Sequence, residues 1–183
     1  LSDGSVFVYR NSQLDDLSRH PAVGHQPIGV MTSGLRHPDS LSESGVARLL
    51  HASIFSWMPP QHRPAKQLLN KVLSPKNVGK FREEISAFLN ELIDKNLEEG
   101  IFDFRKDFAR MAMVHFWATS IGVPLDVGEE LFAEAEKVQT SFLIAPTMEQ
   151  TVVANKSAHV FMDLLEEAIP RAVIEERAPM LED

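Results

Sequence analysis

Cysteine is absent from the 183 residues. Its absence excludes disulfides, Cys-ligated zinc, iron–sulfur clusters, a cysteine nucleophile and a thiolate ligand to haem from within this chain. Long apolar runs are missing as well. The longest uncharged, apolar-leaning stretch, Met111 to Leu125, is shorter than the ~20 residues a membrane span needs and contains His115, Thr119 and Ser120. No basic segment leading into an apolar one opens the chain, so nothing reads as a secretory leader and the expected location is cytoplasmic. Asn155-Lys156-Ser157 matches the glycosylation triplet, but without a secretory route it reads as chance. Cationic excess is lacking: 18 Lys and Arg face 26 Asp and Glu, a net charge of −8. That balance argues against non-specific nucleic-acid or anionic-membrane partners. There is no phosphate-cradling glycine loop, no G-x-G-x-x-G, no nucleophile elbow and no H-E-x-x-H.

What is present is ordinary globular composition, 44% hydrophobic and 24% charged, in a length that suits one domain with its own core. The charge is unevenly placed. From Gly45 to Arg82 there is no acidic residue, while Arg48, Arg63, Lys66, Lys71, Lys76, Lys80 and Arg82 carry +7. Residues 83–183 hold eight basic and twenty-one acidic residues, a balance of −13. A segregated basic segment is either a solvated face or a docking site for an anion or an acidic partner, and composition alone does not choose.

Periodicity points to helices. Val6 to Tyr9 is a short β-prone run, followed by Asn11-Ser12 as helix-start chemistry with Asp15 and Asp16 expected in the first turn. His20-Pro21 ends that helix, and residues 21–45 read as a long irregular loop of prolines and glycines. Val46, Leu49, Leu50 and Ile54 suit a short helix before Trp57. Pro59-Pro60 opens a stronger one, with Ala65, Leu68, Leu69, Val72 and Leu73 as its apolar stripe. Ser74-Pro75 stops it and starts the next, expected to run through Val78, Phe81, Ile85, Phe88, Leu89 and Leu92 to Gly100. Ile101 to Phe104 reads as a connector, and 107–121 as a helix apolar nearly all round and hence buried. Segments 127–143 and 148–177 complete the chain. The expected fold is mainly α with a minor β element, a single domain over 1–183 with no internal repeat.

Candidate chemistry concentrates in Pro59-Pro60-Gln61-His62-Arg63-Pro64-Ala65-Lys66. His62 and Lys66 are four apart and project from one helix face. The helix start is expected to add free N–H groups and partial positive charge, which together suit a carboxylate or phosphate. The plain alternative is a surface histidine and lysine. The remaining histidines are scattered: His20, His25 and His37 read as surface residues, and His115 and His159 as hydrogen-bonded or partly exposed helix residues rather than metal ligands.

The surrounding sequence resembles the cytochrome P450 family, soluble bacterial type. Members carry Pro-Pro-x-His-x-x-x-Arg at the start of the C helix, then an apolar stripe and an aromatic-Thr/Ser-Pro-x-x-Val step. Here stand Pro59-Pro60-Gln61-His62, Lys66, and Leu73-Ser74-Pro75-Lys76-Asn77-Val78. Val6 to Pro21 is similar to the early strand and B helix. Phe102-Asp103-Phe104, Asp107-Phe108 and Ile121-Gly122-Val123-Pro124 are similar to the D–E connector, the E helix and its end. The resemblance implies the N-terminal portion of the fold, B to G helices, an incomplete P450-like domain. The oxygen-activating helix, the Glu-x-x-Arg helix and the cysteine loop are expected after Asp183.

What the resemblance implies is part of a haem-thiolate monooxygenase, an oxidoreductase that oxidises a hydrophobic small molecule with O₂ and electrons from a ferredoxin- or flavodoxin-type donor. Its cofactor would be heme, whose iron and thiolate ligand this chain cannot supply, so the chain alone is expected to be inactive and to hold no metal ligand. His62 would contact a haem propionate, and Lys66, in place of the usual Arg, would keep the charge without the bidentate fork. Met58 and Gln61 stand where acids are common. The loop from about Gly24 to Phe55 corresponds to one wall of the substrate cavity. Arg63, Lys71 and Lys76, in the basic 63–82 segment, correspond to the redox-partner face. The competing reading is a non-enzymatic helical module whose basic segment binds an acidic partner protein.

Overall fold

A computed structural model of the chain describes residues 6–24, 44–143 and 146–180. Among them helices are the only regular elements: α1 (Asn11–Arg19), α2 (Gly45–Ala52), α3 (His62–Val72), α4 (Pro75–Gly79), α5 (Arg82–Glu99), α6 (Met111–Ile121), α7 (Leu125–Val138) and α8 (Met148–Ile174). Short 3₁₀ turns follow α2 and α7, and a wider π-type segment, Phe104–Arg110, leads into α6.

The core is built around α8, which packs against α2 and α7, while α7 packs on α6. Val46 and Leu50 of α2 meet Val138, Ala154 and Ala158. Gly45 permits this approach, since a Cβ there would lie 2.4 Å from the Asn155 carbonyl oxygen and 2.7 Å from the His159 ring. Polar groups fasten the same contact. The Ser44 hydroxyl donates to Asn155 Oδ1 at 2.8 Å, and that oxygen also accepts from the Val46 N–H. Arg48 reaches from α2 to Asp163 and Glu166 on α8, at 2.6 and 2.7 Å. The Asn155-Lys156-Ser157 triplet is thus helical, with Asn155 and Ser157 both buried.

α8 begins in a capping box between Thr147 and Gln150. Gly122, at φ +74°, turns the chain out of α6. The Arg177 carbonyl closes so tightly over it that a side chain would collide. Residues 175–180 fold back there, with Arg177 donating to the Gly122 carbonyl and Ala178 and Met180 buried.

Several expectations need correction. Val6 to Tyr9 forms no regular element and joins no sheet among the described residues, and Val6, Phe7 and Tyr9 are exposed. The minor β element is therefore not found there, because β propensity without a partner strand leaves the backbone unpaired. Asp15 and Asp16 fall beyond the first turn of α1, which has no side-chain cap. The helix expected from Pro75 to Gly100 breaks at Lys80 and Phe81. That break turns Phe81 into the core, 5% exposed and edge-on to Phe116.

Ile101 to Asp103 do form a connector, but the helix expected from 107 already begins at Phe104. Asp103 accepts from the Arg105 and Lys106 N–H groups, while Asp107 accepts from the Asp103 N–H. α6 is less buried than its apolar composition implies, with Met113 and Trp117 each more than 40% exposed. Most of the loop expected at 21–45, together with His25, His37 and residues 25–43 of the expected cavity wall, lies outside the described residues.

Candidate functional site

The 3₁₀ turn at Ile54–Ser56, fixed by the Ser53 hydroxyl accepting from the Phe55 N–H, delivers the chain to Trp57. The Trp57 indole N–H donates to the His51 carbonyl at 2.8 Å and so anchors the turn on α2. Pro59 and Pro60 then redirect the backbone into α3. His51, Ser56, Trp57, Met58 and Gln61 line a cleft of about 520 Å³ against the start of that helix. The Ser56 hydroxyl oxygen in its wall is buried and has no hydrogen-bond partner. A buried polar atom left without a partner is costly, which sets this hydroxyl apart from the other serine side chains near α3. Sequence reasoning missed Ser56; nothing in the spacing distinguishes it from the other serines of this stretch.

His62 and Lys66 sit one turn apart on α3, His62 half-buried and Lys66 exposed. The expected supply of free backbone donors at this helix start is smaller than the sequence suggests. The Gln61 and His62 N–H groups already bond to the Met58 carbonyl, at 3.0 and 3.2 Å, and Pro64 has no N–H. Of the N–H groups in this first turn, that of Arg63 has no partner among the described residues, so the side chains carry the cationic character of the site.

Arg63, Lys71 and Lys76 are all exposed. The Lys71 carbonyl accepts from the Asn77 side chain at 3.1 Å and the Ser74 N–H at 3.2 Å, which joins the end of α3 to α4. Among the described residues, Arg63, Lys66 and Lys76 make no ion pair. The structure thus brings His62 and Lys66 together and places the three remaining cations along α3 and the start of α4.

Two other places carry polar or apolar character. A pocket of about 230 Å³ between α6, α7 and α8 is lined by apolar residues including Trp117, Leu131, Phe132 and Phe161, and includes none of the site residues above. His115 lies flat on Phe88, ring centroids 3.8 Å apart, with Nε2 3.7 Å from a Glu84 oxygen. That separation is too long for a hydrogen bond, and Nε2 is buried without one. The Glu84 oxygen accepts instead from the Thr119 hydroxyl at 3.1 Å. His115 is therefore a partly exposed, stacked residue of α6, within the expectation of a hydrogen-bonded or partly exposed helix residue.

Among the described residues no group of three or more His, Asp or Glu side chains is placed to hold a metal ion. None of the described helices is long and apolar enough to cross a membrane. No protein-family model, curated protein or solved structure matches the chain.

Proposed function

We propose that the chain is the N-terminal part of a haem-thiolate monooxygenase, in which His62 and Lys66 hold the carboxylate edge of the haem. The observation that carries the reading is the pair itself. Two side chains able to carry positive charge share one face of α3, beside a cleft whose Ser56 hydroxyl lacks a partner. Set in the Pro59-Pro60 sequence context, the pair supports reading this face as a carboxylate-binding one.

The fit to haem is divided. The propionate end has suitable partners in His62 and Lys66. The iron end does not, because the chain has no cysteine, and on this reading the thiolate comes from sequence other than these residues. Haem bound to such a thiolate supplies the oxygen activation by which a hydrophobic small molecule is oxidised. This chain contributes the propionate contact, part of the cavity wall, and in Arg63, Lys71 and Lys76 a cationic face for an acidic electron donor.

A second reading, a helical module that binds an acidic partner, draws on the exposure of the same cations and of the leucines of α3. The two separate in a longer enzyme carrying this segment. There His62→Ala is expected to lower haem retention by roughly 5- to 100-fold, one lost charge-assisted contact, while Lys66→Arg retains or improves it. Lys71→Glu and Lys76→Glu are expected to keep full haem and slow reduction, most at low ionic strength. Haem content and reduction rate are measured separately. Full haem in His62→Ala with loss in Lys71→Glu contradicts the assignment.

A further inference from the structure

We propose that Arg105, Lys106 and Arg110 form a binding site for a phosphate group where the π-type segment meets α7. The inference is independent of the haem reading and uses none of its residues. Residues 83–183 are strongly acidic, yet three of their eight basic residues fall between Arg105 and Arg110. Local geometry gathers them. On an α-helix, positions five apart diverge by about 140°. A π-type turn closes five residues on, so within Phe104–Arg110 the last residue comes back beside Arg105 and Lys106.

The three side chains, with Glu136 of α7, line a recess of about 150 Å³. Few counter-charges reach it. Glu136 stands 4.0 Å from Arg105, and among the described residues Lys106 and Arg110 make no ion pair. The segment's own acids are engaged elsewhere: Asp103 and Asp107 both accept from backbone N–H groups. By contrast, Lys137, Arg171 and Arg177 in the same half of the chain each pair with a carboxylate.

A second observation singles out Arg110. Its side chain is partly buried, with the guanidinium carbon held 5.5 Å above the centre of the Phe132 ring. Its Nε is buried and has no hydrogen-bond partner. A charge drawn partly out of water without a counter-charge is costly, and a bound anion relieves that cost. The aromatic contact fixes the guanidinium before a ligand arrives, which lowers the entropy lost on binding.

The charge balance sets the class of ligand. Three cations against one carboxylate leave an excess of two in the recess, which matches a phosphate dianion better than a monocarboxylate. Free phosphate and the phosphate of a small organic ester share this chemistry.

The test is equilibrium dialysis of the full 183-residue chain with radiolabelled inorganic phosphate near neutral pH. Saturable binding with Kd roughly millimolar or tighter is expected, with acetate competing at least tenfold more weakly than unlabelled phosphate. Stronger displacement by glycerol 3-phosphate than by unlabelled phosphate identifies an ester as the source; equal or weaker displacement identifies free phosphate. Arg110→Met, which keeps an apolar stem against Phe132, and Lys106→Gln are each expected to weaken binding about tenfold, with helix content by circular dichroism unchanged. Glu136→Gln removes the competing carboxylate and is expected to tighten binding about threefold or more, a gain that a damaged fold does not produce. Arg171→Gln, on α8 beside its own partner Glu167, is expected to leave binding unchanged. Absence of saturable binding, or acetate competing as well as phosphate, overturns the proposal. So does a Glu136→Gln chain that binds no tighter, or a loss in Arg171→Gln equal to that in Arg110→Met.

Discussion

Asn155 joins α2 to α8 through one amide oxygen, which accepts from both the Ser44 hydroxyl and the Val46 N–H. A second tie of this kind holds α7 to α8. Glu134 accepts from the Lys137 ammonium on its own helix and from the Ser157 hydroxyl on α8, and those two contacts hold its carboxyl below the usual carboxylate range. Its side chain is 13% exposed, so solvent screens the pair only partly. A carboxyl whose folded-state pKa is depressed stabilises the fold above its unfolded pKa and loses that contribution as pH falls through the folded value. Stability is therefore expected to decline on the acid side, below the ordinary carboxylate range. Glu134→Gln is expected to be less stable at neutral pH and to show a shallower acid decline than the native chain. Thermal melts across that pH range check this, and equally steep declines in both proteins contradict it.

At the scale of elements, period and punctuation made most of the helices legible. The leucine stripe of α3, Ser74-Pro75, Gly100 and Gly122-Pro124 mark boundaries that the structure reproduces to within a residue or two. The misreadings have physical causes. The break at Lys80 and Phe81 is invisible to periodicity, because Phe81 continues the apolar pattern; what bends the chain is its packing against Phe116, a tertiary contact. The helical start at Phe104 was concealed because Asp103 and Asp107 cap each other locally, while the aromatic residues around them read as a connector. At the site, the spacing of His62 and Lys66 was readable from the sequence. The loss of two helix-start donors to the Met58 carbonyl was not, since it depends on how the prolines turn the chain.

At the scale of the molecule, the core among the described residues is thin. Among the described residues the largest fully buried side chains are Val114 and Ser120, while Trp117, Leu68, Leu97 and Met113 are each more than 40% exposed. Burying a leucine is worth about 1.5–3 kcal/mol, so each one left in water withholds a sizeable share of a domain's net stability. On the reading proposed, these faces are covered by the remainder of a longer enzyme. At concentrations where the chain is monomeric it is expected to bind a dye specific for exposed apolar surface and to melt broadly, with helix retained and aromatic near-ultraviolet dichroism weak. A sharp cooperative transition without dye binding contradicts this and favours an autonomous helical module.

The central claim, that the His62–Lys66 face of α3 holds the carboxylates of haem, is tested most directly by titrating the chain with haem and with haem dimethyl ester, whose propionates carry no charge. One or two charge-assisted contacts of about 1–3 kcal/mol each correspond to a preference for the free acid of roughly 5-fold or more. Native chain is expected to show that preference, and His62→Ala to reduce it by weakening haem while leaving the ester unchanged. Equal affinity of the native chain for acid and ester, or an undiminished preference in His62→Ala, contradicts the account.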